Sequence, residues 1–319
     1  MMAVGLRKSF CIASLIACLA AGGSVAADEL PTVKVGVFPI AAVAPLYVGE
    51  QAGIFAREGI KVVPDMGAQG GAALQAAVLS GAYAFAFTNT PSVYLAKAGG
   101  LPVKMVAPAA SAGVNDKDAW DGLLVAKDSP IREPKDLEGK TVAVNTINNI
   151  GKVGIYSMLE QRGVDYRKVK LIEVPFPEMN ALLESGKLDA AWMPTPFVTA
   201  GLKAGSRSLF SVFQGVGSAA TITVYMTTDK YAAENPEIVA KFQRGLAAAQ
   251  AYARENPEVT RKAIAAYLRF PEAIAMEMNL PQWKPEHETA SVARAAELMM
   301  RYGMLKQVPE LKDVVLNGF

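Results

Sequence analysis

Cysteine and histidine are nearly missing from this sequence, and where the few copies fall decides what is excluded. Both cysteines, Cys11 and Cys18, lie within the first 27 residues, and the one histidine is His287. A chain that begins after residue 27 therefore has no thiol, no disulfide and no thiolate nucleophile. A zinc site built on His and Cys is excluded by the counts. A Ser–His–Asp triad would have to use His287, which sits in the polar run KPEHETA, and no Gly-x-Ser-x-Gly elbow accompanies it. Net charge is also lacking. The sequence has 32 basic and 30 acidic residues; without Arg7 and Lys8 the balance is 30 against 30, which gives no charge-based reason to bind nucleic acid or an anionic membrane.

Long apolar runs are scarce too. Met1 to Lys8 carries Arg7 and Lys8 without an acid, Ser9 to Ala21 is apolar, and Ser24-Val25-Ala26-Ala27 supplies small residues before Asp28. This pattern predicts a secretory signal peptide over 1–27, with release of a chain starting at Asp28. The alternative is a lipoprotein box at Leu15-Ile16-Ala17-Cys18, with acylated Cys18 as a membrane anchor. The run is shorter than the roughly 20 apolar residues that a membrane span requires.

Several short motifs resemble catalytic or metal loops and fail on spacing. Gly139-Lys140-Thr141 ends like a Walker loop, but Pro134 occupies the position of its first glycine. Asp116, Asp118 and Asp121 lie close together without the glycine and final glutamate of an EF-hand. Gly67-Ala68-Gln69-Gly70-Gly71 is glycine-rich but lacks GxGxxG spacing.

What is present is a repeated alternation of strand and helix. From Pro31 to Ser111 the pattern gives strands at Val33–Phe38, Ile60–Val63, Ala82–Phe87 and Val103–Ala107, with helices at Pro45–Glu58, Ala72–Leu79 and Pro91–Ala98 between them. It restarts after Trp120, with strands at Gly122–Ala126, Thr141–Val144, Val169–Val174, Ala190–Met193 and Ser208–Phe213. Helices follow at Ile150–Gln161, Glu178–Leu183 and from Phe197. Thr221–Met226 is a further strand, expected to return to the first lobe. From Asp229 on the chain is helical, with starts at Asn235-Pro236 and Asn256-Pro257 and a last long helix over Glu286–Tyr302. This order predicts an α/β fold of two lobes, divided as 28–119, 120–219 and 220–319. In such sheets ligands lie beyond the carboxyl ends of the strands.

The stretch KTVAVNTINNIGKVG, Lys140 to Gly154, concentrates that rule. A buried strand ends at Val144 and a helix begins near Ile150, whose first N–H groups lack partners within the helix and carry partial positive charge. Asn148 and Asn149 can cap that helix or touch a ligand, and the sequence leaves both open.

The motifs VKVGVFPIAAVAPLYVGEQAGIFAREGIKV, QGGAALQAAVLSGAYAFAFTNTPSVYLAKAGGLPVKMVA, KDLEGKTVAVN and ALLESGKLDAAWMPTPFV cover most of Val33 to Val198. Their order resembles the solute-binding proteins of ABC importers, in the group serving nitrate, aliphatic sulfonates and taurine that is related to thiamine-pyrimidine synthases. The resemblance implies a type II periplasmic binding protein fold, with two crossovers and a ligand cleft between lobes. It implies ligand contacts from Phe38, Pro39, Ile40, Gln69, Asn89, Thr90, Ser111, Asn148, Asn149, Trp192, Pro194 and Thr195, and neither a metal nor a cofactor. The partners implied are an inner-membrane ABC permease with its ATPase, and the protein is expected to be a periplasmic monomer without enzyme activity. Where many relatives read Trp-x-Glu-Pro, this chain reads Trp192-Met193-Pro194-Thr195-Pro196, so an acid that could pair with an amine is replaced by Thr195. The cysteine-rich motif of the pyrimidine synthases is absent. The expected ligand is a small organic anion, sulfonate-like or an aromatic carboxylate; the alternative is a neutral heteroaromatic such as a thiamine-precursor pyrimidine.

Overall fold

A computed structural model describes residues 1–2, 29–67, 71–285 and 288–316. Nearly all of the expected leader with Cys11 and Cys18, and also Gln69 and His287, lie outside the described residues. Ten strands occur among those described: β1 (Thr32–Gly36), β2 (Lys61–Asp65), β3 (Phe85–Asn89), β4 (Val103–Ser111), β5 (Asp121–Val125), β6 (Thr141–Val144), β7 (Lys170–Glu173), β8 (Ala190–Pro194), β9 (Arg207–Phe210) and β10 (Thr221–Thr228). They form two five-stranded sheets, ordered β2-β1-β3-β10-β4 and β7-β6-β8-β5-β9.

The two sheets share one plan. In each, the first strand of the lobe pairs in parallel with the second and third, and the fourth lies beyond a strand arriving from the other lobe. That arriving strand, β10 in one sheet and β5 in the other, runs antiparallel to both its neighbours. β5 and β8 are buried along their whole length, which is why they show no alternation; β8 is apolar throughout and β5 is apolar after its first residue, Asp121.

The chain passes between lobes twice, between β4 and β5 and between β9 and β10. These two crossovers lie side by side: Ala112 N donates to Ala220 O at 2.8 Å and Gln214 Nε2 to Gly113 O at 2.6 Å. Beyond β10, the helix Pro236–Glu255 buries Val239, Phe242, Leu246 and Ala249, a helical stripe laid on the first lobe. Its Phe242 stacks on Phe85 of β3 with ring centroids 4.2 Å apart. The following helix, Pro257–Leu268, carries Tyr267, whose hydroxyl donates to Ile40 O at 2.9 Å and so fixes the turn after β1.

Three expectations are corrected in detail. The single helix expected over Pro45–Glu58 is two, Ala44–Gln51 and Ile54–Arg57, separated at Gly53, whose φ of 65° lies in the left-handed region that a continuing helix cannot use. The strand expected over Ser208–Phe213 stops at Phe210, because the next three residues turn to bond Asp121 and leave the ladder. The last long helix begins at Thr289. Among the described residues no helix is long and apolar enough to cross a membrane.

Candidate functional site

Four strand ends converge between the lobes. β1 leads into Phe38 and Ile40, β3 into Thr88 and Asn89, β6 into Asn145 through Asn149, and β8 into Trp192 and Pro194. Together they line two adjoining spaces that share Phe38, Thr88, Asn89, Asn145 and Asn149. The outer one, about 320 Å³, has mixed walls, in which Gln75, Ser92, Thr146 and Asn148 supply polar groups beside Leu95, Ala96, Leu101 and Met226. The inner one is nearly filled, at about 40 Å³, and its walls are the rings of Phe38, Phe87, Trp120, Phe176, Trp192 and Phe213. The cleft thus has a polar mouth over an aromatic floor.

Among the described residues two Asn-capped helices begin at the mouth, one from each lobe, and the helix Gly71–Leu79 begins there as well, with Gly71 on the wall. Asn89 caps the helix Thr90–Ala98: its Oδ1 accepts from Ser92 N and Ser92 Oγ, both at 3.1 Å, and its Nδ2 has no partner among the described residues. Asn149 caps the helix Ile150–Gln161: its Oδ1 accepts from Gly151 N at 2.8 Å and its Nδ2 donates to Asn145 Oδ1 at 2.8 Å. Of the two roles left open by the sequence, Asn149 therefore takes the cap, while Asn148 stays exposed on the cavity wall. The loop between β6 and this helix is held from β7, where Glu173 Oε1 accepts from Ile147 N at 2.7 Å.

No charged side chain lines either space among the described residues. The electrostatic character of the mouth comes instead from the two helix dipoles and the carboxamides, which favour an anion or another acceptor. The floor is a network of ring contacts. Phe176 meets Trp192 edge-on at 5.6 Å, Trp192 meets Phe213 at 5.6 Å, and Phe213 meets Trp120 at 4.6 Å. Each such pair contributes about 0.5–1.5 kcal/mol beyond area burial.

Behind the floor stands one buried carboxylate. Asp121, at the start of β5, is 4% exposed and accepts from Trp192 Nε1 at 2.9 Å, Ser211 Oγ at 2.6 Å, Val212 N at 2.9 Å and Phe213 N at 3.2 Å. Burial pushes its carboxyl up to about 6, against the pull of those four hydrogen bonds. No cation pairs with it among the described residues.

The other residues expected at the site lie elsewhere. Pro39 is exposed and off both walls, and Thr90 is buried in the first turn of its helix with its hydroxyl unpartnered. Ser111 ends β4, where its carbonyl accepts from Trp120 Nε1 at 2.8 Å. Thr195 is buried behind the cleft, and its backbone joins the lobes: its N donates to Trp120 O at 2.8 Å and its O accepts from Ala41 N at 3.2 Å. Sequence reasoning singled out Thr88 beside Asn89 without carrying it to the ligand contacts, and it missed Asn145, Phe176, Phe213 and Asp121. Thr88 and Asn145 were legible as strand-end positions, whereas nothing in the sequence separates Phe176 and Phe213 from core aromatics. No group of three His, Cys, Asp or Glu residues is arranged to hold a metal among those described.

Comparison with known proteins places this architecture. The chain is 26% identical over 206 residues to the taurine-binding periplasmic protein of Escherichia coli strain K12, a match covering 65% of this chain and 62% of that one. It is 26% identical over 220 residues to the riboflavin-binding protein RibY of Chloroflexus aurantiacus, covering 67% and 59%. The chain thus spans about three fifths of the length of these relatives. Among solved structures, the periplasmic aliphatic sulphonate binding protein SsuA of Escherichia coli superposes with a TM-score of 0.71 at 18% identity, covering 91% of this chain and 93% of that one. The same fold also carries an enzyme, the desulfurization enzyme DSZB, with a TM-score of 0.64 at 14% identity, covering 90% and 97%. The fold is that of the periplasmic binding proteins, and the family described as NMT1/THI5 like matches residues 40–260. The chain belongs to the NMT1/THI5-like family.

Proposed function

We propose that this protein is the substrate-binding component of an ABC importer and captures a small organic anion in the cleft between its lobes. The observation that carries this reading is the pairing of two Asn-capped helix N-termini, one from each lobe, over an aromatic floor, with no charged side chain on either wall among the described residues. Peptide N–H groups, hydroxyls and carboxamides hold an anionic head without a matching basic residue. The rings take the body. A closing pair of lobes excludes water from both.

The lining also sets a limit. With no carboxylate on either wall among the described residues, the ammonium of a zwitterion such as taurine gives up hydration for neutral acceptors alone. A sulfonate or carboxylate with an uncharged body suits the cleft better. The proposed setting is the periplasm, after removal of residues 1–27, with delivery of the ligand to an inner-membrane permease and its ATPase. No catalytic role is proposed. A second reading, a neutral heteroaromatic held by stacking and by carboxamides, has support in the uncharged lining and in the likeness to RibY.

A thermal-shift panel of taurine, ethanesulfonate, benzenesulfonate, benzoate, nitrate, a pyrimidine and riboflavin tests the proposal. Ligand at a hundredfold excess over Kd adds about 2.7 kcal/mol to apparent stability, enough to move the transition by several degrees. Ethanesulfonate or an aromatic anion should stabilise more than taurine. Stabilisation by the pyrimidine or riboflavin alone would overturn the anion reading in favour of the second.

A further inference from the structure

Trp192 is gripped from two sides. At one end its indole N–H donates to Asp121 Oδ2 at 2.9 Å. At the other the ring lies so close to the first turn of the helix Ile150–Gln161 that a Cβ on Gly151 would fall 2.6 Å from its Cε3 and Cζ3 atoms. Trp192 is 3% exposed, and it reaches the cleft as part of the floor.

The carboxylate that holds the indole is itself fixed by the second crossover, through Ser211 Oγ, Val212 N and Phe213 N. That crossover is pressed against the same helix. A Cβ on Gly154 would lie 2.3 Å from Val212 O, and one on Gly215 would lie 2.3 Å from Gly154 O. Asp121 therefore joins three things: the indole forming the floor, the backbone of the crossover, and through it the helix whose N-terminus faces the mouth. A buried, unpaired carboxylate is a costly way to tie down a loop, and an amide or hydroxyl could accept one N–H at less cost. What it adds here is a second oxygen. Oδ1 takes the Ser211 hydroxyl while Oδ2 takes three N–H groups from two elements.

We propose that Asp121 is a positioning residue of the binding cleft, which sets the angle of the Trp192 ring and thereby which ligand bodies the floor accepts, without itself touching the ligand. This inference rests on the reading of the cleft given above. The carboxylate acts on the body of the ligand through Trp192 and leaves the anionic head to the helix N-termini.

The test is a double-mutant cycle on the purified protein with D121N, W192F and the double variant, and with G151A as a second way of displacing the ring while leaving Asp121 intact. The first arm needs no ligand. D121N should shift the tryptophan emission and near-UV dichroism, and should leave both unchanged in the W192F background. The second arm compares benzenesulfonate with methanesulfonate, which share the head and differ in the body. D121N and G151A should each weaken benzenesulfonate about tenfold while changing methanesulfonate less than threefold, and D121N should add nothing once W192F is present. A D121N effect that is additive with W192F, or that falls equally on both sulfonates, would mean that Asp121 only braces the crossover. Full retention of benzenesulfonate affinity by both D121N and G151A would overturn the proposal while leaving the cleft reading intact. Failure of the wild type to bind either sulfonate would remove the cleft reading and this inference with it.

Discussion

The two lobes are wired alike and finished differently. In the first lobe the leading strand, β1, delivers apolar Phe38 and Ile40, and the third, β3, delivers polar Thr88 and Asn89. In the second lobe the leading strand, β6, delivers polar Asn145 and Asn149, and the third, β8, delivers apolar Trp192 and Pro194. Sheet topology thus decides where a ligand lies, and the residues after each strand decide what it meets. Two identical lobes would offer the ligand the same chemistry twice. These two each supply one half of the polar groups at the mouth and one half of the aromatic floor, so mouth and floor are both completed only where the lobes meet.

The lobes also differ in how their capped helices are anchored. The helix Ile150–Gln161 lies backbone against backbone on the second crossover, with Gly154 against Val212 and Gly215, whereas the helix Thr90–Ala98 packs mainly on β4, β10 and the helix Thr289–Arg301. The largest expected effect tests this. Gly154→Ala places a methyl group on the Val212 carbonyl and should cost about 3 kcal/mol in denaturant unfolding, as overpacked sites do. Ser92→Ala, in the first turn of the other helix, loses one hydrogen bond to Asn89 and should cost about 1 kcal/mol. Equal losses would mean that the crossover contact contributes nothing special.

Asp121 is a difference that pH reads out. Its folded-state carboxyl is raised above the ordinary value of 3.8 to about 6, so between these values the folded protein binds the extra proton and stability falls as pH rises. Over that interval, at about 1.4 kcal/mol per pH unit at most, the wild type should lose about 2 kcal/mol relative to D121N between pH 4 and pH 7. Unfolding of both proteins across this range checks the sign. A gap that stays constant would mean that the carboxyl titrates normally.

The two cap asparagines should separate stability from affinity. Each replacement by alanine should cost about 1 kcal/mol of stability. Asn149→Ala should do little else, since both polar atoms of that side chain are engaged within the protein. Asn89→Ala also removes an unpartnered Nδ2 at the mouth and should weaken the anion found in the panel by about tenfold. Calorimetric Kd values for the two variants decide this.

The smallest effect concerns the contact that bridges the lobes at the end of the last long helix, Thr289–Arg301. There Arg301 Nε lies 2.9 Å from Glu160 Oε2, and the Tyr302 hydroxyl donates to the same oxygen at 3.0 Å. With both partners partly exposed, Glu160→Gln should cost less than 1 kcal/mol of stability. If the contact favours the closed arrangement of the lobes, the unliganded variant should have a larger radius of gyration by small-angle scattering.

Much of this was legible in the sequence because periodicity reports burial. Thr141–Val144 and Ile150–Gln161 were placed at their observed bounds, since a β-branched run, a polar turn and helical spacing are all local signals. The strand-end rule then pointed to Phe38, Asn89 and Asn149, and the family resemblance implied Trp192. What stayed hidden depends on contacts made far along the chain. Asp121 read as one of three nearby acids in a loop, and only its partners 71 to 92 residues away distinguish it from exposed Asp116. Phe176 and Phe213 became part of the floor through the packing of separate elements, which no local pattern records. Ser111 and Thr195 occupy strand ends as expected, but backbone bonds across the lobe junction use those positions.

The measurement that bears most directly on the central claim is a calorimetric titration of the purified protein with a matched pair: the tightest-binding anion of the panel and its uncharged amide. If the mouth holds a negative head between two helix N-termini, the anion should bind at least tenfold more tightly, and the gap should close in Asn89→Ala. An amide that binds as well as the acid, with Asn89→Ala affecting both equally, would contradict the account.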